Sequence, residues 1–466
     1  MSYSLSAFFS DPVLRGPTIG CVLMCLGASL MGVILFLKKQ ALVGEALAHA
    51  SYPGVVLGVL AAGIFGVSSE NELKLLLFIL TGAFCSSLLG LLLIHILNIK
   101  GRVSPDAALC FVLSSFFGIG IAIASEIQFS YTSLYKQIFS YLYGQAATMG
   151  DVHIIIYAIL SAWIVASVCI FYKELQLILF DRDYAKSLGL PVKAVEAFVF
   201  FLVTLALVVG IRSVGVVLIS GMLIAPAAAA RQFTHKLSLV FVLAGLFGSI
   251  SGFLGNYFSV QLTDALALLY PGARIILPTG PMIVLTACFI ALAALFLAPE
   301  RGVLLKRMRV FQFRRRRIVE NLLKSWWRFP ERQAISWRQL AEQQGISRFY
   351  LGLILRGMKK RGLIELSLRR GQSYWVQCLR RLGWDGEVRL TPMGEKKAAG
   401  IVRLHRLWEV YLVNSIGSRI EQVHASAEEM EHILTPELER ELTLLLHDPR
   451  QDPHHQPIPP REEGTL

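Results

Sequence analysis

Charged side chains are scarce in this chain, and several short signatures are missing from it. Only 17% of its 466 residues are charged, whereas 55% are hydrophobic. None of the seven cysteines stands in a CxxC or zinc-ribbon spacing, so the sequence predicts neither a disulfide framework nor a thiolate zinc site. No GxxxxGKS or GxxxxGKT sequence occurs, which excludes a phosphate-binding loop of that type for ATP.

Long apolar runs fill the chain up to Leu297. A helix needs about 20 apolar residues to cross the hydrocarbon core of a membrane. Nine runs approach that length: Ile19–Leu37, Val43–Phe65, Leu73–Leu97, Ala107–Ala124, Val152–Phe171, Ala194–Ile211, Val214–Ala230, Leu237–Leu254 and Met282–Leu297. The sequence therefore predicts a mostly α-helical protein whose first part is a polytopic membrane body of about nine spans.

Basic residues collect in alternate connections between these runs, and such residues favour the cytosolic face. The richer set comprises Lys38, Lys39, Lys100, Arg102, Lys173, Arg182, Lys186, Lys193, Arg231, Lys236 and the 301–317 run. The other face has only Arg15, Lys74, Lys136, Arg212 and Arg274. This pattern predicts an N-terminus outside the cytosol and a cytoplasmic C-terminal region.

Two polar residues lie one helical turn apart inside the second run. Glu45 and His49 are four positions apart, so both project from one helical face. A carboxylate in a membrane is costly unless it is paired or faces a wet path. Two interpretations stay open: a hydrogen-bonded pair that fixes helix packing, or a transient ligand pair for a divalent cation.

A short charged segment, Phe180–Pro191, separates two runs on the predicted cytosolic face. It favours a helix and ends in Gly and Pro, so it could form a small helix that docks in a cleft of a soluble motor protein. An ordinary loop between spans is the alternative. The residues that such docking would use are Asp181, Arg182, Tyr184, Ala185, Leu188 and Gly189.

The formal net charge of +13 is concentrated after Pro299 and at the cytosolic edges. Residues 299–317 are basic and have no apparent core, which predicts a linker. Its residues 314–317 favour a solvated membrane-edge helix that holds anionic lipid, and attraction of DNA is the alternative. Beyond the linker, helices are expected at Ile318–Arg328, Ile335–Gln344 and Arg348–Lys360, and a β-wing at Glu365–Leu390. This is helix-turn-helix spacing. The candidate DNA contacts are Ser347, Arg348, Tyr350, Arg356, Lys359 and Lys360.

The last part of the chain holds two stripes of metal-ligand residue types. His405 and Glu409 form one i,i+4 pair. His424, Glu428, Glu431 and His432 follow at i, i+4, i+7 and i+8, on one face of a second helix. Imidazole and carboxylate without thiolate favour Mn²⁺ or Fe²⁺ over a structural zinc site, with Zn²⁺ as the alternative ion. A solvated acidic helix face is the competing interpretation.

The membrane body resembles the manganese/zinc/iron permease family of ABC importers. The resemblance rests on four stretches in order: Ala41–Ala50, Phe180–Pro191, Gly210–Leu218 and Met222–Arg231. It implies that Glu45 and His49 lie on the translocation path, with Glu45 where many relatives carry Asp. It also implies that 181–190 is the coupling helix for a separate ATP-binding subunit, so the chain itself is not an enzyme. A periplasmic metal-binding protein, a second permease subunit (the same chain or a sister) and the bacterial inner membrane are implied too.

The C-terminal region resembles the diphtheria toxin repressor/manganese regulator family. The matching stretches are Leu390–Gly394, Arg403–Glu409, Glu428–His432 and Pro453–Pro459, with His424 between them. Glu428 stands where iron-type members have Cys, which resembles the manganese type. Glu320 matches one ligand of the first helix, whereas Arg317 replaces its acidic partner. The resemblance implies a metal co-repressor and operator DNA.

The sequence thus predicts a permease at 1–298, a basic linker at 299–317, a winged helix-turn-helix at 318–395 and an α-helical metal-binding and dimerisation domain at 396–466. Together these predict a subunit of an ATP-driven metal importer fused to a metal-dependent repressor, with release by proteolysis in the linker as a hypothesis. Two alternatives remain: a membrane-tethered metal-sensing transcription factor that does not transport, and a permease whose C-terminal domain gates the pore.

Overall fold

The computed structural model describes residues 4–65, 72–130, 132–271, 275–327, 335–336, 342, 345–368, 386–416 and 436–460. The chain divides into two compact units, Met1–Lys306 and Arg307–Leu466. The helices that begin in the first unit are α1 (Ala7–Ser10), α2 (Pro12–Leu37), α3 (Ala41–Ile64), α4 (Glu72–Ile99), α5 (Pro105–Ser130), α6 (Thr132–Tyr143), α7 (Asp151–Ile170), α8 (Tyr172–Phe180), α9 (Arg182–Ser187), α10 (Val192–Val214), α11 (Ile219–Phe233), α12 (Leu237–Leu269), α13 (Thr279–Leu297) and α14 (Val303–Trp327).

Eight of these helices are long and apolar enough to cross a membrane, counted over the described residues. They are α2, α3, α4, α5, α7, α10, α12 and α13. The predicted seventh run, 214–230, differs from expectation because helix α11 has only 15 residues. At about 1.5 Å per residue it measures roughly 22 Å, less than the hydrocarbon thickness.

Two glycines with positive φ explain why α11 starts late. Gly144 follows α6 with φ 78°, and Gly215 follows α10 with φ 92°. The two breaks lie against each other, since a side chain at either glycine would collide with the backbone beside the other. The Gln145 amide donates to the Arg212 carbonyl at 2.8 Å, and the Val216 amide donates to the Tyr141 carbonyl at 3.2 Å. These bonds satisfy backbone groups that leave their helices here.

The core of the membrane unit is built around α2 and α3, each 72% buried across its most apolar stretch. Helix α3 packs against α4 at very short range, because a side chain at Gly54 would collide with the Gly82 backbone. Likewise, Gly32 of α2 lies against the Leu223 carbonyl of α11. Small residues let helix backbones approach closely in a membrane, where van der Waals packing drives association.

In the second unit the described elements are β1 (Ile335–Ser336), α15 (Arg348–Lys360), β2 (Ile364–Leu368), β3 (Gly386–Leu390), α16 (Pro392–Ile416) and α17 (Pro436–Leu445). The strands form an antiparallel sheet in the order β1-β3-β2, with Ile335 opposite Val388 and Ile364 opposite Leu390. Residues of α14, α15, β3 and α16 share its core, as Leu322, Leu351, Val388 and Ala398 are buried together.

Two boundaries differ from the sequence-based prediction. The prediction that a helix starts at Ile335 was wrong, because Ile335 and Ser336 form a strand that pairs with β3. A β-branched residue facing Val388 favours that pairing. The membrane-edge helix expected at 314–317 and the helix expected from Ile318 are one continuous helix, α14, which begins earlier, at Val303. Its Leu, Lys and Arg residues are good helix formers.

Candidate functional site

Glu45 and His49 lie near the start of α3, about one helical turn apart. His49 is only 8% exposed, and its ring meets the Phe117 ring of α5 edge-on at 4.6 Å between centroids. Its Nδ1 atom is buried and has no hydrogen-bond partner among the described residues. Glu45 is half-buried on the same face. An imidazole without a partner inside an apolar span is the arrangement that a passing cation could use.

Because of Pro53, the backbone carbonyl of His49 is a second polar group at this position. A proline four residues later has no amide hydrogen, so it cannot make the helical hydrogen bond to the His49 carbonyl. Nearby carbonyls of α3 gain partners from α4, where Ser86 Oγ donates to the Ala50 carbonyl at 2.7 Å and Ser87 Oγ to the Leu47 carbonyl at 3.1 Å. The sequence analysis did not use Pro53, although its position in the second run was visible.

A cavity of about 290 Å³ opens beside the first turn of α3, at the same end of the helix as Glu45. Its polar lining comprises Lys39, Gln40, His95, Asn98 and Asp106. The Gln40 Oε1 and Asn98 Oδ1 atoms are buried and lack a hydrogen-bond partner in the described part of the chain. Carboxylate, amide and imidazole donors thus line a space next to the Glu45 turn. Sequence reasoning missed Gln40 and Asn98, because the residues that line the cavity come from separate helices.

The segment predicted for coupling contains α9. Asp181 caps this helix, with its carboxylate accepting from the Tyr184 amide at 2.9 Å. Ala185 is fully buried against Ile178 and Val192. Gly189 ends the segment with φ 79°, a conformation that suits glycine. The Tyr184 and Leu188 side chains are more than half exposed. Helix α9 is therefore anchored by one face, whereas Tyr184 on the helix and Leu188 directly after it are exposed.

Ion pairs fasten the start of α9 to the ends of two spans. The Glu196 carboxylate of α10 accepts from Arg182 at 2.7 Å and from Lys38, after α2, at 3.0 Å. Lys38 and Glu196 are both largely buried, so this part of the network is sheltered from solvent. On the exposed side of α9, Lys186 donates a hydrogen bond to Asp183 and, together with its charge, lowers the pKa of that carboxyl.

The predicted DNA-contacting residues lie on or before α15. Ser347 caps the helix, accepting from the Tyr350 amide at 3.4 Å. Arg356, Lys359 and Lys360 are exposed, whereas Leu351, Ile354, Leu355 and Met358 form the buried face. Tyr350 is half-buried, with its ring 6.1 Å from the Phe311 ring. Arg348 is the first residue of the helix, and its side chain lies outside the described set. The arrangement gives α15 an exposed basic surface.

On α14, basic and apolar side chains alternate around a surface cavity of about 450 Å³. Its lining is Arg309, Val310, Phe313, Arg314 and Arg317. Val310 and Phe313 are 45% and 44% exposed, which is high for apolar side chains of this size. Basic heads beside aromatic and aliphatic groups are typical of contacts with anionic lipid.

The predicted sensor residues that the structure describes are His405, Glu409 and Glu320. His405 and Glu409 of α16 are 4% and 2% exposed, and the His405 Nε2 atom lies 3.1 Å from Glu409 Oε1. Glu320 of α14 is also buried, and its carboxylate accepts from Arg316 at 2.7 Å. The other four predicted ligands, His424, Glu428, Glu431 and His432, lie outside the described residues. Among those described, no three His, Cys, Asp or Glu residues form a metal cluster.

A lysine that sequence reasoning missed, Lys324, lies beside His405. Lys324 of α14 is 4% exposed, and its Nζ atom is 3.0 Å from His405 Nδ1. The available signal was a lysine among Leu322, Leu323 and Trp326, one turn after Glu320. The donor chemistry of His405 and Glu409 fits Mn²⁺ or Fe²⁺. The neighbouring ammonium group is a feature that any bound cation has to accommodate.

A buried arginine fastens the chain end to α16. The Arg403 guanidinium pairs with Glu439 of α17 at 3.4 Å and with Asp448 at 2.8 Å, and it donates to the Pro459 carbonyl at 2.8 Å. Arg406 donates to the Pro457 carbonyl and pairs with Asp452. These contacts give the C-terminal stretch 448–459 a defined place beside the helix that carries His405.

Comparison with known proteins assigns the two parts. Residues 10–298 match the ABC 3 transport family, and residues 391–460 match the iron dependent repressor, metal binding and dimerisation domain. The "Probable metal transport system membrane protein" of Chlamydia trachomatis is 36% identical over 98% of both chains. The "Manganese transport system membrane protein MntC" of Bacillus subtilis is 30% identical over 85% of this chain and 83% of its own.

Among solved structures, PsaBC from Streptococcus pneumoniae in complex with Fab is 27% identical and covers 64% of this chain and 96% of the matched chain, with a TM-score of 0.53. The family match extends over more than half of the chain, and both predicted resemblances are thereby confirmed. The chain is a member of the ABC 3 transport family, a multi-pass permease of a metal transporter that carries a C-terminal domain of the iron-dependent repressor type.

Proposed function

We propose that the membrane unit imports a divalent metal ion, manganese, iron or zinc, and that Glu45 and His49 bind it in passage. The observation that carries this is the buried His49 imidazole, whose Nδ1 has no partner in the described residues, one turn from a carboxylate. The His49 carbonyl released by Pro53 supplies an additional oxygen donor. Gln40, Asn98 and Asp106 would receive the ion in the neighbouring cavity.

The test is uptake of radiolabelled Mn²⁺, Fe²⁺ and Zn²⁺ by the reconstituted importer. Glu45→Ala and His49→Ala should each lower uptake by roughly tenfold or more, because each removes one ligand. The matched control is Ser51→Ala, since the Ser51 hydroxyl bonds to the Ala48 carbonyl of its own helix. Equal uptake by wild type and both ligand variants, with assembly intact, would remove these residues from the path.

The ion movement would be driven by a separate ATP-binding subunit docked on α9, and the ion delivered by a periplasmic metal-binding protein. Exposed Tyr184 and Leu188 beside buried Ala185 support the docking surface. The Arg182–Glu196–Lys38 network supports transmission from α9 to two spans. A second permease subunit, identical or related, would complete the importer. Replacing both Tyr184 and Leu188 by Ser should abolish copurification of the ATP-binding subunit, whereas Lys193→Ser should leave it unchanged.

The second unit would act in the cytoplasm as a metal-dependent repressor. Mn²⁺ or Fe²⁺ bound by His405 and Glu409, together with His424, Glu428, Glu431 and His432, would supply the positive charge that stabilises a DNA-competent dimer. Glu320 would contribute after leaving Arg316. The exposed Arg356, Lys359 and Lys360 support contact with operator DNA, and Ser347, Arg348 and Tyr350 would complete that surface.

Metal-dependent DNA binding is testable on the full-length protein in nanodiscs. Added Mn²⁺ or Fe²⁺ should strengthen binding to DNA from the promoter of the importer genes. Lys359→Ala should weaken it across sequences and reduce the salt slope by about 1. If the affinity for DNA is the same with and without either ion, the proposed repressor function is contradicted, and a C-terminal unit that gates the pore is favoured.

The basic helix α14 would contact anionic lipid headgroups through Arg309, Arg314 and neighbouring apolar groups.

Release of the repressor by proteolysis near the 299–317 segment would let it reach chromosomal sites. An antibody to the C-terminus should then detect a soluble fragment in native cells. Detection of full-length protein alone would argue against cleavage.

A further inference from the structure

Lys324 occupies a position where a charge is expensive. It lies on α14 between the buried Leu323 and Trp326, and only 4% of it is exposed. A buried ammonium group persists only if it is hydrogen-bonded or paired. The His405 ring provides such a partner, with Lys324 Nζ and His405 Nδ1 separated by 3.0 Å.

Both nitrogens of the His405 ring face a polar group. A charged lysine has three donors and no acceptor, so in its contact with Lys324 the His405 Nδ1 atom is the acceptor. The other ring nitrogen, Nε2, lies 3.1 Å from Glu409 Oε1. While the ammonium group is bound at Nδ1, the lone pair of that atom is not available to a cation.

Lys324 also brings a positive charge close to the candidate metal ligands, since its ammonium group contacts the His405 ring whose other nitrogen faces Glu409. A divalent ion at His405 and Glu409 would bring positive charge to the same place. Two cations a few ångströms apart in a buried site repel strongly.

We propose that Lys324 is a built-in competitor of the sensor metal: its ammonium group occupies His405 and has to leave before the imidazole can bind an ion. The proposal rests on the proposed metal-sensing function of this unit. Lys324 is a positioning residue, not a ligand, and it sets the metal concentration at which the sensor responds. Removal of the ammonium should make the site fill at lower metal.

The experiment is a Mn²⁺ titration of the full-length protein, followed by electron paramagnetic resonance. A Glu45→Ala/His49→Ala background removes the expected transport site, and the component lost in His405→Ala is assigned to the sensor site. Lys324→Met should raise the affinity of that component about tenfold, the equivalent of one charge-assisted hydrogen bond. Lys324→Arg keeps the charge and should stay within about threefold of the parent.

Arg440→Met is the matched control, because it removes an exposed positive charge from the same unit and should leave affinity unchanged. Lys324→Gln is the second variant if Lys324→Met does not fold; it removes the charge, keeps a donor, and should also raise affinity. In metal-free protein, a cooperative thermal unfolding transition followed by tryptophan fluorescence shows that each variant is folded. That readout is independent of metal binding.

The outcomes separate this inference from the function on which it rests. If no Mn²⁺ component depends on His405, the proposed metal sensing itself fails. If such a component exists and folded Lys324→Met binds with unchanged or weaker affinity, metal sensing stands and the competitor role is overturned. Weaker binding would mean that Lys324 orients His405 for the metal instead of opposing it.

Discussion

At the scale of single residues, the polar groups with partners nearby in sequence were predictable and those with distant partners were not. Glu45 and His49 belong to one helix, so their shared face follows from a four-residue spacing. Lys324 and His405 are 81 positions apart, and no periodic pattern connects them. Gln40 and Asn98 were missed for the same reason, since the cavity that they line joins different helices.

Arg403 gives a prediction about stability at this scale. Arg403→Met leaves Glu439 buried without its ion-pair partner and removes the bonds to Asp448 and Pro459. Truncating one partner of a buried pair costs about 3–5 kcal/mol, so the free energy of unfolding of the second unit should fall by that order. Urea unfolding followed by tryptophan fluorescence measures it.

Arg440 provides the comparison for that variant. It lies on α17 like Glu439 but is exposed, so Arg440→Met should change the free energy of unfolding by no more than about 0.5 kcal/mol. Equal unfolding curves for the two variants would show that the buried contacts of Arg403 contribute nothing measurable.

At the scale of helices and strands, long apolar runs predicted most of the membrane unit, and local breaks decided the rest. The 214–230 run looked like a span because composition alone cannot register the positive φ of Gly215. Ile335 looked helical because its strand partner, Val388, comes 53 residues later. The prediction placed a boundary between the linker and the helix at 317/318 because the basic stretch has no apparent core, whereas α14 runs without a break from Val303 to Trp327.

The close crossing of α3 and α4 requires small residues where the two helices touch. Gly54→Val places two methyl groups where the Gly82 backbone lies, so the helices must separate. Overpacking of this kind typically costs about 1–3 kcal/mol, and the thermal midpoint of the detergent-purified protein should fall accordingly. Gly118→Val is the matched control, because nothing lies within 4 Å of a side chain added there.

Helix α9 depends on one small side chain. Ala185→Leu adds bulk against Ile178 and Val192, so the helix should shift away from its anchor. In the reconstituted importer we expect metal-stimulated ATP hydrolysis to fall several-fold, while basal hydrolysis by the ATP-binding subunit persists. Unchanged stimulation would show that coupling does not depend on the packing of α9 against Ile178 and Val192.

At the scale of the whole molecule, the chain has two compact units, each with its own core. The composition of the chain changes in the same region, because the apolar runs stop near Leu297 and the basic stretch follows. Among the candidate sensor residues, His405 and Glu409 were predicted from spacing and Glu320 from the family resemblance, and these three belong to the described part.

His405→Ala distinguishes a repressor from a gate on the pore. If the second unit acts on DNA, this variant should lose metal-dependent operator binding and keep wild-type uptake kinetics in reconstituted importers. A gate would show the reverse, with uptake no longer responding to metal. The two measurements on one protein preparation, with Arg440→Met alongside, assign the role of the C-terminal unit.

The paired breaks after α6 and α10 have a consequence for how this permease can change over time. A side chain at Gly144 would meet the backbone of residues 213–215, and a side chain at Gly215 would meet the backbone of residues 142–144. Because backbone is the obstacle in both cases, a second substitution at the counterpart cannot make room for the first. We therefore expect both positions to remain glycine as sequences of this permease diverge.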